Sequence, residues 1–236
     1  MKHFAKTALV ATTGFVLALT GCAPGDAAEA ATGEATRAAQ TISIAVERPA
    51  AAPAVVLAVA PEGNEARYRV QEQLVRLDLP NDAVGATNSV TGAIALDAAG
   101  NVIPELSAIV VDITGLRSDE ERRDGYVQRR LLETQQHSTV ELRPTALRGL
   151  SLPLPESGAQ TFELLGDLTV RGVTRPTTWR VNAQFAEGRV TGTASTGFTF
   201  DDFGLTQPRV PVVLSVADTI RLEYDFNLIP TAPAGS

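Results

Sequence analysis

Few side chains in this 236-residue sequence are of the types that perform covalent or acid–base chemistry. The chain has two histidines, His3 and His137, one cysteine, Cys22, and two lysines, Lys2 and Lys6. His3 lies in a leader that is predicted to be removed, so a serine triad or a multi-histidine metal site would have to be built around His137 alone. A lone histidine where a strand begins is ordinarily a surface residue. A single cysteine excludes an internal disulfide and a cysteine-based zinc site. With no lysine beyond the leader, Schiff-base and phosphate-loop lysines are excluded too. Two carboxylate clusters remain, Asp119-Glu120-Glu121 and Asp201-Asp202. Neither has the flanking ligands of a calcium loop, and they read better as helix capping and turn chemistry than as a glycosidase pair. No glycine-rich phosphate loop or dinucleotide fingerprint opens a predicted helix. The expectation is a protein with no catalytic residue, no metal and no cofactor.

Cys22 has a different chemistry open to it. Met1 to Gly21 reads as an export signal, with Lys2 and Lys6 as its positive region and Ala8 to Leu19 as an apolar stretch too short to span a bilayer. Leu19-Thr20-Gly21-Cys22 resembles a bacterial lipobox, in which the thiol receives a diacylglyceryl group and cleavage precedes the cysteine. The expectation is an exported chain anchored in the cell envelope through acylated Cys22. Residues from Cys22 to Pro53 are rich in Ala, Thr, Glu and Pro without apolar periodicity, which predicts a flexible tether with a mean reach of about 30 Å. After leader removal, 18 arginines stand against 27 acids. That balance leaves no basic footprint for nucleic acid.

The elements that follow must be mostly strands. Beyond Ala66, apolar residues recur at period two between turn-forming residues. Eight strands are predicted, at approximately 66–77, 90–96, 106–113, 138–143, 160–171, 177–185, 189–200 and 219–228, with Ala54 to Ala60 as a candidate extra first strand. The clearest alternations place Trp179, Val181, Ala183 and Phe185 on one face, and Ile220, Leu222, Tyr224, Phe226 and Leu228 on another. Ser118-Asp119-Glu120-Glu121 has the spacing of a capping box and predicts a helix to about Leu132, short or interrupted because of Gly125. An open sheet with one polar face would expose its edges, so the predicted fold is all-β: an eight-stranded antiparallel barrel with one short helix, over residues 54–230, followed by a tail at 231–236. A barrel of this size is either filled by side chains or holds one small ligand, and the strand patterns alone leave both open.

One stretch narrows the choice. Gly166-Asp167-Leu168-Thr169-Val170-Arg171-Gly172-Val173-Thr174-Arg175-Pro176 resembles the G-x-LT-x-x-GVT-x-P signature of the YceI-like family. Leu116-Arg117-Ser118-Asp119 through Arg123-Asp124-Gly125-Tyr126, and Asp202-Phe203-Gly204-Leu205, resemble two further family segments in the same order. Gly172 is expected at positive φ in a hairpin, with Pro176 just ahead of a strand. The sequence departs from the family pattern at Tyr68-Arg69-Val70-Gln71-Glu72, where the family frequently has His-Ser, and at His137-Ser138. The resemblance implies a lipocalin-like barrel whose cavity takes a long-chain amphiphile, in some members a polyisoprenoid.

On that reading Trp179, Val181, Phe185, Phe198, Phe200, Tyr224 and Phe226, with Leu164 and Leu168, line the cavity, and Tyr126, Arg129 and Arg130 stand at its mouth. The function expected is non-enzymatic binding, sequestration or transport of a long-chain lipid such as an isoprenoid in the envelope. The alternative is an envelope interaction module with a side-chain-filled barrel and no lipid ligand.

Overall fold

The computed structural model describes residues 52–75 and 78–231. The leader, Cys22 and nearly all of the predicted tether lie outside the described residues, as do 232–236. Eleven strand segments follow in order: β1 (Val55–Val59), β2 (Glu65–Leu74), β3 (Asn81–Thr87), β4 (Val90–Leu96), β5 (Ala108–Asp112), β6 (Arg117–Ser118), β7 (Thr139–Arg148), β8 (Gly158–Val170), β9 (Val173–Ala186), β10 (Arg189–Thr199) and β11 (Val213–Thr231). All pairings are antiparallel.

These segments make eight staves of one closed barrel. β1 and β2 are collinear because both run along β11, with Val59 opposite Leu228 and Glu65 opposite Asp225. β3 and β4 pair with β2 and β1 as the second stave, and β5 and β6 pair with β4 and β3 as the third. The ring then runs through β7, β8, β9, β10 and β11 and closes on β1 and β2. The predicted eight-stranded antiparallel barrel is therefore the observed architecture, and Ala54 to Ala60 supplies β1. β3 is a correction, since 81–87 is not among the predicted strands and yet Asn81 and Asp82 already pair with Glu72 and Gln71.

The break between β1 and β2 is held by one buried side chain. Asn64 Nδ2 donates to the Ala60 carbonyl at 2.8 Å, and its Oδ1 accepts from Tyr224 Oη at 2.7 Å and from Asn227 N at 3.0 Å. Polar groups freed by the interrupted ladder are thereby satisfied without water.

β8 and β9 join through Arg171 at φ 47° and Gly172 at φ 74°, both central residues of the hairpin being left-handed. That is the primed turn whose twist matches the flanking strands, and Gly172 occupies the position expected of it. Pro176 lies inside β9 rather than ahead of it. It pairs with Asp167 of β8, whereas β10 reaches only as far as Arg180, so the missing N–H faces a side with no ladder.

The capping box does not form. Helix α1 spans Glu121–Tyr126, and its N-cap is Glu120, whose carboxylate accepts from Arg122 N. Ser118 belongs to β6 and binds Asp124 instead, through both its N–H and its hydroxyl. After Tyr126 the helix widens into a π-turn over Val127–Leu131, so it is short and interrupted as expected. Helix, π-turn, the β2–β3 turn and the loop before β11 all lie at one end of the barrel, the helix end. The connections β4–β5, β7–β8 and β9–β10 lie at the other.

Candidate ligand-binding cavity

Alternation along each stave decides what faces inward. On β9, Trp179, Val181, Ala183 and Phe185 are buried while Arg180, Asn182 and Gln184 are exposed. On β11, Ile220, Phe226 and Leu228 are buried. The other face of β11 carries ion pairs in which Arg67 meets Asp225 at 2.6 Å and Arg69 meets Glu223 at 3.5 Å. These inward faces do not fill the barrel. They enclose a cavity of about 1020 Å³, at the upper limit of ordinary small-ligand sites.

All nine residues predicted for the wall are found on it: Trp179, Val181, Phe185, Phe198, Phe200 and Tyr224, together with Phe226, Leu164 and Leu168. Trp179 keeps its indole N–H satisfied by Thr177 Oγ1 at 3.0 Å, so its ring can stand in an apolar wall at no hydrogen-bonding cost. Tyr68 joins them from β2, its ring lying across Gly85, where a Cβ would stand 2.2 Å from Cε1. Burial pushes the Tyr68 hydroxyl up to about 12, and burial also raises that of Tyr224. Both are uncharged at neutral pH.

Polar lining groups gather at the helix end. Glu72 faces inward in phase with Tyr68 and Val70, and its carboxylate accepts from Arg123 at 2.7 Å. Arg123 also donates to Asp119, and that contact holds the Asp119 carboxyl below the usual carboxylate range. Asn81 Nδ2 reaches Glu72 at 3.4 Å, while its Oδ1 is buried with no hydrogen-bond partner. Tyr126 lines the cavity here, as predicted. Arg129 and Arg130 do not; both are exposed and away from the wall. The reason is winding: Arg123 precedes Tyr126 by three residues and so shares its face of α1, whereas the π-turn turns Val127 and Leu131 inward and carries Arg129 and Arg130 out. At the helix end the cationic lining groups are Arg122 and Arg123, seven residues earlier than expected. Glu72 and Asn81 were also missed, although a charge in phase with Val70 and Leu74 is a signal that the sequence contains.

Part of the helix end is plugged. A 3₁₀ turn at Asp201–Phe203 buries Phe203, whose ring meets Phe198 edge-on at 4.5 Å. Arg175 donates to the Asp202 carbonyl at 2.9 Å and Arg171 to that of Gly204. The hairpin segment and the Asp202–Leu205 segment, singled out separately in the sequence, thus clasp each other. His137 lies against Gly172 at the same corner. Among the described residues no cluster of three or more metal-ligating side chains occurs.

A closed eight-stave antiparallel barrel around an apolar cavity places the protein in the lipocalin-like class. Within that class the chain belongs to the YceI-like domain family, whose family model matches residues 58–228. Among solved structures it is similar to a polyisoprenoid binding domain from Saccharophagus degradans implicated in plant cell wall breakdown, with 12% identity, TM-score 0.54, and coverage of 77% of this chain and 100% of that one. BcnA of Burkholderia cenocepacia is similar at 13% identity and TM-score 0.52, covering 70% and 95%. A Campylobacter jejuni YceI protein is similar at 13% identity and TM-score 0.50, covering 69% and 91%. At these identities the likeness shows the fold. A search of curated proteins finds no match.

Proposed function

We propose that this protein binds and carries a long-chain amphiphile of the polyisoprenoid class, without chemical turnover. The observation that carries the reading is the cavity: about 1020 Å³ of space inside the barrel, with a mostly apolar wall and the Glu72–Asn81–Arg123 polar group at the helix end. An apolar chain gains about 0.8 kcal/mol for each CH₂ it buries, so ten carbons offset a substantial association cost. The polar head rests by Glu72, Asn81 and Arg123, where Asn81 Oδ1 has an acceptor position open to a ligand hydroxyl or amide. The likeness to the polyisoprenoid binding domain from Saccharophagus degradans supports the polyisoprenoid class.

Native mass spectrometry of the full chain, purified from a lipid-rich host and then offered prenyl and fatty chains, tests this directly. A bound mass or saturable uptake is expected. A chain that arrives empty and takes up neither sinks the reading in favour of an interaction module. Trp179 is the only tryptophan, so its emission reports one place on the wall. A long-chain prenol should shift or quench it saturably.

The site of action belongs to the same proposal: export, and anchoring in the cell envelope by acylated Cys22. The lipobox-like Leu19-Thr20-Gly21-Cys22 supports it. Cys22→Ser should move the protein from the membrane to the soluble fraction. Continued sedimentation with an intact leader would instead indicate an uncleaved signal anchor.

A further inference from the structure

Turns and loops on a protein surface ordinarily carry Gly, Asn, Asp and Ser. At the helix end of this barrel two do not. The turn after β2 includes Val75, Leu79 and Pro80, and the run into β11 reads Pro208-Arg209-Val210-Pro211-Val212-Val213-Leu214. Five large aliphatic side chains are exposed among the described residues: Leu79 at 75%, Leu214 at 67%, Val212 at 62%, Val75 at 55% and Leu106 at 51%. Four of the five stand on these two segments, which are joined by Val75 N donating to the Val212 carbonyl at 3.1 Å. The fifth, Leu106, is at the opposite end.

Position gives this lip its meaning. The exposed members of the cavity wall are Val75, Asp119, Glu120, Arg122, Pro211 and Val212, and all lie at the helix end. The cavity therefore opens there, with charges on the α1 side and aliphatic groups on the side of Val75 and Val212. On that second side aliphatic side chains run from the wall, at Val75 and Val212, onto the outer surface at Leu79 and Leu214. The sequence of the two segments carries one acid, Asp78, and two arginines, Arg76 and Arg209.

We propose that this lip inserts into a lipid bilayer, so that the amphiphile of the preceding section passes between membrane and cavity without crossing water. The proposal rests on that reading of the cavity. A bilayer is the occupant that fits. Val, Leu and Pro lack the aromatic anchors and hydrogen-bonding rim of a protein interface. Two arginines and one aspartate over the two segments, with no basic cluster, suit a zwitterionic surface better than a strongly anionic one. Each aliphatic side chain moved out of water raises the partition coefficient roughly tenfold or more.

Cys22→Ser makes the full chain free of cysteine, because Cys22 is the only one. Into that background Leu79→Cys, Leu214→Cys or, at the opposite end, Leu106→Cys is placed singly and labelled with an environment-sensitive fluorophore. Phosphatidylcholine vesicles containing no prenyl lipid are then added. Labels at 79 and 214 should shift to the blue with a several-fold gain in intensity, and the label at 106 should stay in water. Adding Val212→Glu should weaken the response at 214 tenfold or more. Lip labels that stay in water, or an equal shift at 106, overturn the proposal. The two readings fail distinguishably: ligand uptake in vesicle-free solution by a chain whose lip never inserts overturns this one alone, and insertion by a chain that takes up no ligand overturns the preceding one and with it the transfer of ligand, leaving membrane insertion by itself.

Discussion

On one side of the helix end, Phe200, Phe203 and Leu205 are buried, and the backbone that carries them is held by Arg171 and Arg175. Across the opening, Val75, Leu79, Val212 and Leu214 are as apolar and stand in solvent. Both regions are connections between staves, and both are rich in large hydrophobic residues. What separates them is the supply of partners for their backbone. The 3₁₀ turn at Asp201–Phe203 receives two guanidinium groups and a carboxylate cap, so its polar atoms are satisfied and its rings can sink inward. The run Pro208–Val213 has two prolines with no N–H to donate and lies beyond the paired stretch of β10. An apolar sequence is thus made into a plug or a lip by the hydrogen bonds available to the chain around it.

The sharpest way to break this comparison is to truncate one residue on each side. Phe203 has no exposed surface and an aromatic partner, so Phe203→Ala should cost about 4 kcal/mol. Leu214→Ala removes a side chain that is mostly in water and should change stability by less than about 0.5 kcal/mol. Urea midpoints at unchanged m-value read both. Equal costs would mean that the two halves are packed alike and that the distinction is unfounded.

Next in size is the ion pair between them. Arg123→Ala leaves Glu72 buried at 8% exposure without its guanidinium, and about 2 kcal/mol should be lost. Adding Glu72→Gln removes the stranded charge and should restore most of that loss. A double variant no more stable than Arg123→Ala alone would show that Arg123 contributes through packing and its contact with Asp119.

A smaller effect separates the clasp from the turn it grows out of. Arg171 sits at φ 47°, where asparagine is tolerated, so Arg171→Asn should keep the hairpin and lose the contacts to Gly204 and Leu131. About 1 kcal/mol is expected, read in the same urea experiment. Amide exchange should quicken around Phe203 and stay unchanged at the lip.

The sequence is legible where its signals are local. Trp179, Val181 and Phe185 face inward because period-two alternation survives across β9, and Gly172 is at positive φ because a two-residue hairpin needs it there. β3 is illegible because its glycine serves a neighbouring strand: Gly85 leaves room for the ring of Tyr68, a requirement that appears only once the two are paired. Arg129 and Arg130 are misplaced for a similar reason. Their phase depends on where α1 starts and on a widened turn after Tyr126, and Ser118, the natural cap, is drawn into β6 and onto Asp124. Glu72 could have been found as a carboxylate on an apolar face. The lip could not, because Val212 and Leu214 resemble core residues in every local respect and only the closed barrel leaves them outside.

The smallest prediction concerns the cap on the plug. Asp202 accepts from Thr199 N at 2.7 Å and from Thr199 Oγ1 at 2.8 Å, and these bonds, with Arg175 nearby, hold its carboxyl below the ordinary aspartate value. A carboxylate with a lowered folded pKa adds stability in full above its unfolded value, about 3.9, and loses it as pH falls through the folded value. Asp202→Asn keeps one acceptor oxygen and removes the charge. At pH 5 the wild type should be the more stable of the two. The gap should close as pH falls below about 4, because protonation makes the two side chains alike. Asp97, Asp112 and Asp119 are lowered by their own hydrogen bonds and remain in both proteins, so their acid losses cancel in the difference. Urea midpoints of both proteins between pH 5 and pH 2.5 measure it. A gap that stays constant over that range would show that the Asp202 charge does not hold the plug, leaving the two arginines and the Phe203–Phe198 contact to do so.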